Sequence, residues 1–340
     1  KNKYFMNSLI FGAQLLGSAL NENESKKLLD FVHSKKIIKI DTAERYPFPE
    51  SNKTYGLTEK IIGNWLIERR INRSNIEIAT KVTGRNFGDI KQIYSKRLSQ
   101  KAILISTERC LKRLKTDYID ILYLHWPDRF TNNFGRKYYN PDKDPFFIPL
   151  EEQLEALHKL KKDGKIKSFG LSNETPWGIM NFINLDSKKK LFSTLQEEYS
   201  IINRDVERSI KEIVLREKIN FFCYSPLSGG LLTEKYSLSK NKIKNNNNGT
   251  WRLIKYKKKT SKLHSHNRIT KLKKLIELCS KNNISVIDVS LAFLKYQNFV
   301  SGVIIGPRNI DQLKELLKSW NKKIPSKVIK YISNNIEETF

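Results

Sequence analysis

The chain has 340 residues, 39% of them apolar and 11% aromatic, enough for a sizeable core and too many for disorder along its whole length. The formal net charge of +28, with Lys255–Lys262 its densest run, could suit a polyanion. However, Lys and Asn recur throughout and no stacking aromatics interleave, so the charge reads as a solvated surface with no nucleic-acid and no membrane partner. Cys110, Cys223 and Cys279 are odd in number and form no C-x-x-C pair, which excludes a disulfide framework and a zinc knuckle and fits a reducing, cytoplasmic compartment.

No apolar run approaches the roughly 18 residues that span a bilayer. The opening KNKYFMNSLIFGAQLLGSAL imitates a signal peptide, but Asn7, Gly12 and Gln14 interrupt it, and LIFG (9–12) reads as a first strand. After it, β-rich runs alternate with helical periodicity. Strands are predicted at 37–41, 76–80, 118–126, 166–172, 193–196, 219–225 and 300–306, making eight with the first. Helices are predicted at 21–35, 57–69, 99–114, 150–163, 176–184, 206–218, 269–281, 286–296 and 310–319, with a last one from Pro325. Asn21 before an acidic turn and Gly164 after KKD supply start and stop signals.

Eight strand–helix units predict an α/β fold, a (β/α)8 TIM barrel, as one domain over 1–340 with a C-terminal helix. The turn after the first strand, GAQLLG, is neither a dinucleotide fingerprint nor a P-loop, so any nucleotide is held by other means. Long loops at 42–55, 126–149 and 226–268 all follow strands and fall on the face where barrel active sites form.

Four polar residues come to that face. Asp41, Lys81 and His125 end predicted strands two, three and four, and Tyr46 lies in the loop after Asp41. Each alone has a duller reading: a loop cap, a solvated lysine, a core histidine. Together they suit carbonyl reduction. A phenol, with a reference pKa of about 10, becomes a better proton donor beside an ammonium. A carboxylate orients that ammonium, an imidazole polarises the carbonyl, and the hydride must come from a cofactor. Substrate-pocket candidates are Tyr46, Phe48, His125, Trp126 and the loop residues from 128 to 149, which include Phe130, Phe134 and Tyr138. No metal site is expected; His264 and His266 form an H-x-H pair without a nearby carboxylate. A metal-dependent barrel hydrolase would need converging histidines and carboxylates that the strand ends lack.

The segments DTAERYPFPES, ATKVTG, LHWPDRFTNNFGRK, GLSNET and YSPLSGGLLTEKY make the chain resemble the aldo-keto reductases, in particular their bacterial Tas-like branch, from about Leu9 to the C-terminal helix. The resemblance implies NADPH-dependent reduction of an aldehyde or ketone. Tyr46 would be the proton donor, Lys81 and Asp41 its tuning pair, and His125 the carbonyl-orienting group. It further implies NADP(H) contacts from Gly12, Ala13 and Gln14, with Asp41 also at the cofactor. Ser172, Asn173 and Gln196 would hold the carboxamide, and Tyr224 would stack on the nicotinamide. Ser225, Pro226, Leu227, Ser228 and Lys235 would follow the pyrophosphate. Gly306, Arg308, Gln312 and Glu315 would meet the adenosine end, Arg308 pairing with the 2′-phosphate. Ala13 stands where a threonine is common in the family, and Leu316 where an asparagine is. The same fold also serves as a cofactor-binding sensor in channel β-subunits, with slow or no turnover; the complete catalytic set favours the enzyme. The substrate itself and the oligomeric state are not legible.

Overall fold

The computed structural model describes residues 8–85, 97–132, 139–143, 146–188, 190–233 and 266–335. Outside these ranges fall Lys235, the 255–262 basic run, His264, Phe134, Tyr138 and most of the 226–268 loop.

Eight parallel strands close a barrel in chain order: β1 Ser8–Gly12, β2 Lys39–Asp41, β3 Glu77–Val82, β4 Ile119–Leu124, β5 Ile166–Ser172, β6 Phe192–Glu198, β7 Asn220–Tyr224 and β8 Gly302–Ile305, with β8 paired back to β1. All eight predicted strands are present, with ends shifted by up to two residues. Described helices are α1 Glu22–Ser34, α2 Leu57–Glu68, α3 Gln100–Leu114, α4 Leu150–Lys162, α5 Pro176–Leu185, α6 Asp205–Ser209, α7 Lys211–Glu217, α8 His266–Lys281, α9 Val286–Lys295, α10 Ile310–Asn321 and α11 Ser326–Asn335.

Local chemistry sets the helix ends. Asn21 and Glu24 form a capping box on α1, the side-chain oxygen of Asn21 accepting from the Glu24 N–H while the Glu24 carboxylate accepts from the Asn21 N–H. Ser285 and Asp288 do the same for α9. The single helix expected over 206–218 is instead two, broken at Ile210, which leaves helical geometry (φ −122°, ψ −29°) with its side chain in the core. Burial there overrides helical propensity.

Two apolar layers hold the barrel. Between strands and helices lies a continuous core including Trp65, Phe169, Tyr199, Phe221, Phe293 and Phe299. Inside the barrel a smaller cluster of Ile10, Ala79, Ile121, Tyr123, Phe222 and Ile304 fills the lumen, with Tyr224 packed on it. Gly170 makes room for this filling, since a Cβ there would stand 2.3 Å from the Tyr123 ring. Side chains alternate across a strand. Stepping by two from lumen residues therefore leads upward to the mouth: Ile10 to Gly12, Ala79 to Lys81, Ile121 and Tyr123 to His125, and Phe222 to Tyr224. The inward parity of the strands is what aims the polar groups at one another.

Candidate active site

The parallel ladder runs past the strand ends and fixes the backbone of the mouth. The amides of Ala13, Thr42, Glu44, His125 and Asn173 donate to the carbonyls of Asp41, Ala79, Lys81, Val82 and Gln196, at 2.8–3.2 Å. Behind the mouth, Lys81 is fully buried. Its Nζ donates to Asp41 Oδ2 at 2.6 Å and to the Thr42 carbonyl at 2.8 Å. The other Asp41 oxygen, Oδ1, accepts from Gln196 Nε2 at 2.8 Å, a contact between β2 and β6 across the lumen. Burial lowers the Lys81 ammonium from its ordinary range against the opposing pull of Asp41.

Tyr46 is carried by the loop after β2. Its own N–H donates to the Ala43 carbonyl at 3.0 Å and the Phe48 amide donates to the Gln14 carbonyl at 2.9 Å, tying this loop to the one after β1. Glu44, almost wholly buried, holds the loop from below, accepting from the Thr83 amide at 2.5 Å and from the Tyr55 hydroxyl at 2.7 Å. Lys81 Nζ lies 5.4 Å from the centre of the Tyr46 ring, and the His125 ring meets that ring edge-on with centres 5.8 Å apart. His125 also packs on Trp126, centres 4.7 Å apart. Burial, then the charges of Lys81 and Arg45, holds the His125 imidazole well below its usual range, so it is neutral at pH 7. Its buried Nδ1 has no hydrogen-bond partner among the described residues.

The far wall is a hydrogen-bonded strip. Tyr224 donates its hydroxyl to Asn173 Oδ1 at 2.6 Å, and Asn173 Nδ2 donates to the His125 carbonyl at 2.9 Å and to Ser172 Oγ at 3.0 Å. Burial pushes the Tyr224 phenol far up, so it remains a neutral donor with its ring against the lumen cluster.

These walls enclose one cavity of about 800 Å3 at the C-terminal mouth. Lining it are Gly12, Gln14, Asp41, Tyr46, Phe48, His125, Trp126, Ser172, Asn173, Gln196, Tyr224, Ser225, Pro226, Leu227, Gly306, Arg308, Gln312 and Glu315, each singled out from the sequence. Four of the described residues singled out by name for the site, Ala13, Ser228, Lys81 and Phe130, do not line it. Ala13 is fully buried, and Ser228 is buried with its hydroxyl 2.8 Å from that of Ser200. Lys81 stands behind Asp41 and Tyr46 instead of on the cavity surface. Arg129 and Thr131, from the 128–149 loop expected at the substrate pocket, line the cavity too, and so do Arg45, Glu50, Arg85, Gly229 and Gly230, loop residues that the sequence did not single out. Arg129 is anchored by a buried two-pronged pair with Glu174 and lies over the Trp177 ring at 4.7 Å.

The mouth has the features a dinucleotide needs. Positive φ at Ser225, Ser228, Gly229 and Gly230 curves the loop after β7 into a concave turn, a backbone form that favours anions. Gly306 faces Gly12 across the cleft between β8 and β1, where an added Cβ would come within 3.7 Å of the Gly12 carbonyl. Next to it, Gln312 Oε1 accepts from the Arg308 amide at 2.9 Å, and Asn309 caps α10 through the Gln312 amide at 2.8 Å. The cavity thus runs from the phenol and imidazole to a guanidinium, with glycine-lined space between. Among the described residues, no three of the His, Cys, Asp and Glu side chains cluster closely enough to hold a metal ion.

A closed parallel barrel with its polar groups gathered at the C-terminal mouth defines the chain as a barrel of the enzyme type. Comparison with known proteins narrows the class. The aldo/keto reductase family profile matches residues 8–337. Protein tas of Escherichia coli K12 is 31% identical over 328 residues, spanning 95% of this chain and 92% of that protein. YrpG, an uncharacterized oxidoreductase of Bacillus subtilis, is 26% identical over 333 residues (96% and 91%). In three dimensions the fold matches that of Tm1743, a thermostable aldo-keto reductase solved with the inhibitor epalrestat, with TM-score 0.67 at 23% identity, covering 96% and 94% of the two chains. The chain therefore belongs to the aldo-keto reductase family, beside the Tas proteins. It belongs with that family among oxidoreductases that act on small carbonyl compounds with a nicotinamide nucleotide.

Proposed function

We propose that the protein reduces an aldehyde or ketone to an alcohol, using NADPH as hydride source and Tyr46 as proton donor. The observation that carries this reading is the buried Asp41–Lys81 pair set against the Tyr46 ring, with the neutral His125 edge-on to the same ring. In the proposed pose the nicotinamide lies on Tyr224 near Ser172, Asn173 and Gln196, and the adenosine end meets Gly306, Arg308, Gln312 and Glu315. Arg308 favours a 2′-phosphate, because a guanidinium matches its oxygens in charge and shape. When bound, the cofactor supplies the hydride, which no side chain can.

The protein's own groups do the rest. The lumen cluster and the strip from His125 to Tyr224 keep water from the reacting carbon. His125, neutral, donates a hydrogen bond to the substrate carbonyl oxygen and sets its direction. As charge gathers on that oxygen, the Tyr46 hydroxyl transfers its proton to it. The Lys81 ammonium stabilises the phenolate left behind. Asp41, held on its other side by Gln196, keeps Lys81 charged and aimed. Three buried thiols agree with the reducing, cytoplasmic setting proposed from the sequence.

The test is NADPH-dependent turnover over a panel of aldehydes and ketones, with Tyr46→Phe as the comparison. The expected result is loss of most turnover in Tyr46→Phe with NADPH affinity nearly unchanged. Tight NADPH binding without Tyr46-dependent turnover of any carbonyl would contradict it and favour the cofactor-sensing alternative.

A further inference from the structure

The substrate end of the cavity is walled by the loops after β2, β3 and β4. Its charged lining residues among those described are Arg45, Arg85 and Arg129 against the single carboxylate of Glu50, whereas the pair of Asp41 and Lys81 is satisfied in the wall behind. The three arginines differ in what occupies them. Arg129 is buried and neutralised by its two-pronged contact with Glu174, and serves as scaffolding. Arg85 is tied through its backbone, its carbonyl accepting from Trp126 Nε1 at 2.8 Å. Arg45 immediately precedes Tyr46 in the chain. Its guanidinium lies 5.1 Å from the Trp126 ring centre, and Trp126 packs directly on His125. Its charge is felt at the His125 imidazole. Its contact with Glu50, Arg45 Nη2 to Oε1, is 3.3 Å, long against the roughly 2.7–2.9 Å of a charge-assisted bond.

A guanidinium lying over an indole beside the proposed carbonyl-orienting histidine has the chemistry to receive an oxyanion at the substrate end. Resting on the reductase reading above, we infer that the substrate is an anionic carbonyl compound, carrying a carboxylate or phosphate a few bonds from its aldehyde or ketone, and that Arg45 binds that oxyanion. A bound oxyanion replaces the long Glu50 contact with a shorter one on the planar fork of Arg45, while the cation–π contact with Trp126 stays in place. Arg85 adds positive potential along the approach, which raises the encounter rate with anions and is screened by salt. Arg45 here is a specificity-determining residue; the proton and hydride steps remain with the groups already described.

The experiment pairs aldehydes that differ only in charge: 4-carboxybenzaldehyde, its methyl ester, and 4-formylphenyl phosphate, with NADPH as reductant. Wild-type kcat/KM is expected to favour the anionic aldehydes over the ester by about tenfold or more, the scale of one charge-assisted hydrogen bond. The carboxylate and phosphate arms show which oxyanion is preferred. Arg45→Gln should bring the ratio of acid to ester near unity, and Glu50→Gln, which removes the competing carboxylate, should raise it. A binding readout stands apart from turnover: calorimetry of 4-(hydroxymethyl)benzoate and its methyl ester, with and without NADP+. Arg45-dependent binding of the acid without turnover of any aldehyde would uphold the anion site and sink the reductase reading. Equal kcat/KM for acid and ester in the wild type, with no effect of Arg45→Gln on the ratio, would overturn the inference and leave the reductase reading intact.

Discussion

Replacing Lys81 with methionine removes a buried ammonium while keeping most of the side-chain volume. The wild-type Nζ holds Asp41 Oδ2 at 2.6 Å and the Thr42 carbonyl at 2.8 Å, with the two charged side chains only 1% and 6% accessible. In Lys81→Met the Asp41 carboxylate stays buried with its cation gone, held still by Gln196 Nε2. Breaking a buried ion pair from one side costs about 3–5 kcal/mol. Asp41→Asn strands the ammonium in the same way and should lose a similar amount. The double variant leaves neither charge uncompensated, so its loss should fall short of the sum by about 2–3 kcal/mol, the upper range for residues in direct contact. Urea unfolding of the four proteins gives the cycle directly. Single losses that simply add, within about 0.5 kcal/mol, would mean that Asp41 and Lys81 are not coupled and that the tuning of Tyr46 is misassigned.

Other consequences are as definite. His125 is held neutral, its folded pKa well below the ordinary 6.5. The sign follows from proton counting: below about pH 6.5 the unfolded chain binds a proton at this site that the folded chain refuses, so stability is full above that pH and falls as pH drops toward the folded pKa, by up to about 1.4 kcal/mol per unit. His125→Gln should remove that part of the acid-side slope in unfolding experiments, and an unchanged slope would count against a neutral, shielded imidazole. Arg308→Ala should weaken NADPH binding by about ten- to a hundredfold, the value of a hydrogen bond to a charged group, with little effect on NADH; equal losses for both nucleotides would remove Arg308 from the 2′-phosphate.

Much of this was legible because strand residues alternate and parallel barrels put strand C-termini on one face. Asp41, Lys81 and His125 could be read as converging from their positions at strand ends, and the barrel itself from eight β-rich runs spaced by helical segments. Other features depend on tertiary structure. The bond from Gln196 to Asp41 joins residues 155 apart in the chain and exists only once the barrel closes. Arg45, Arg85 and Arg129 sit in loops, where no periodicity predicts which way a side chain turns. Ser228, expected along the pyrophosphate, is buried with its hydroxyl 2.8 Å from that of Ser200, a pairing of residues 28 apart that only the folded chain brings together. The break at Ile210 has the same origin, an apolar side chain claimed by the core against a helical pattern.

The central claim is that Tyr46 delivers the proton that accompanies hydride transfer, and a single-turnover experiment reaches it without interference from product release. Enzyme preloaded with NADPH is mixed with an aldehyde that the wild type reduces, and the loss of nicotinamide absorbance is followed in wild type and in Tyr46→Phe. NADPH loading should be the same in both proteins, and the decay slower by about 10²–10⁴-fold in Tyr46→Phe, the usual worth of a positioned general acid. Equal decay rates in the two proteins would contradict that claim and take the proton from Tyr46.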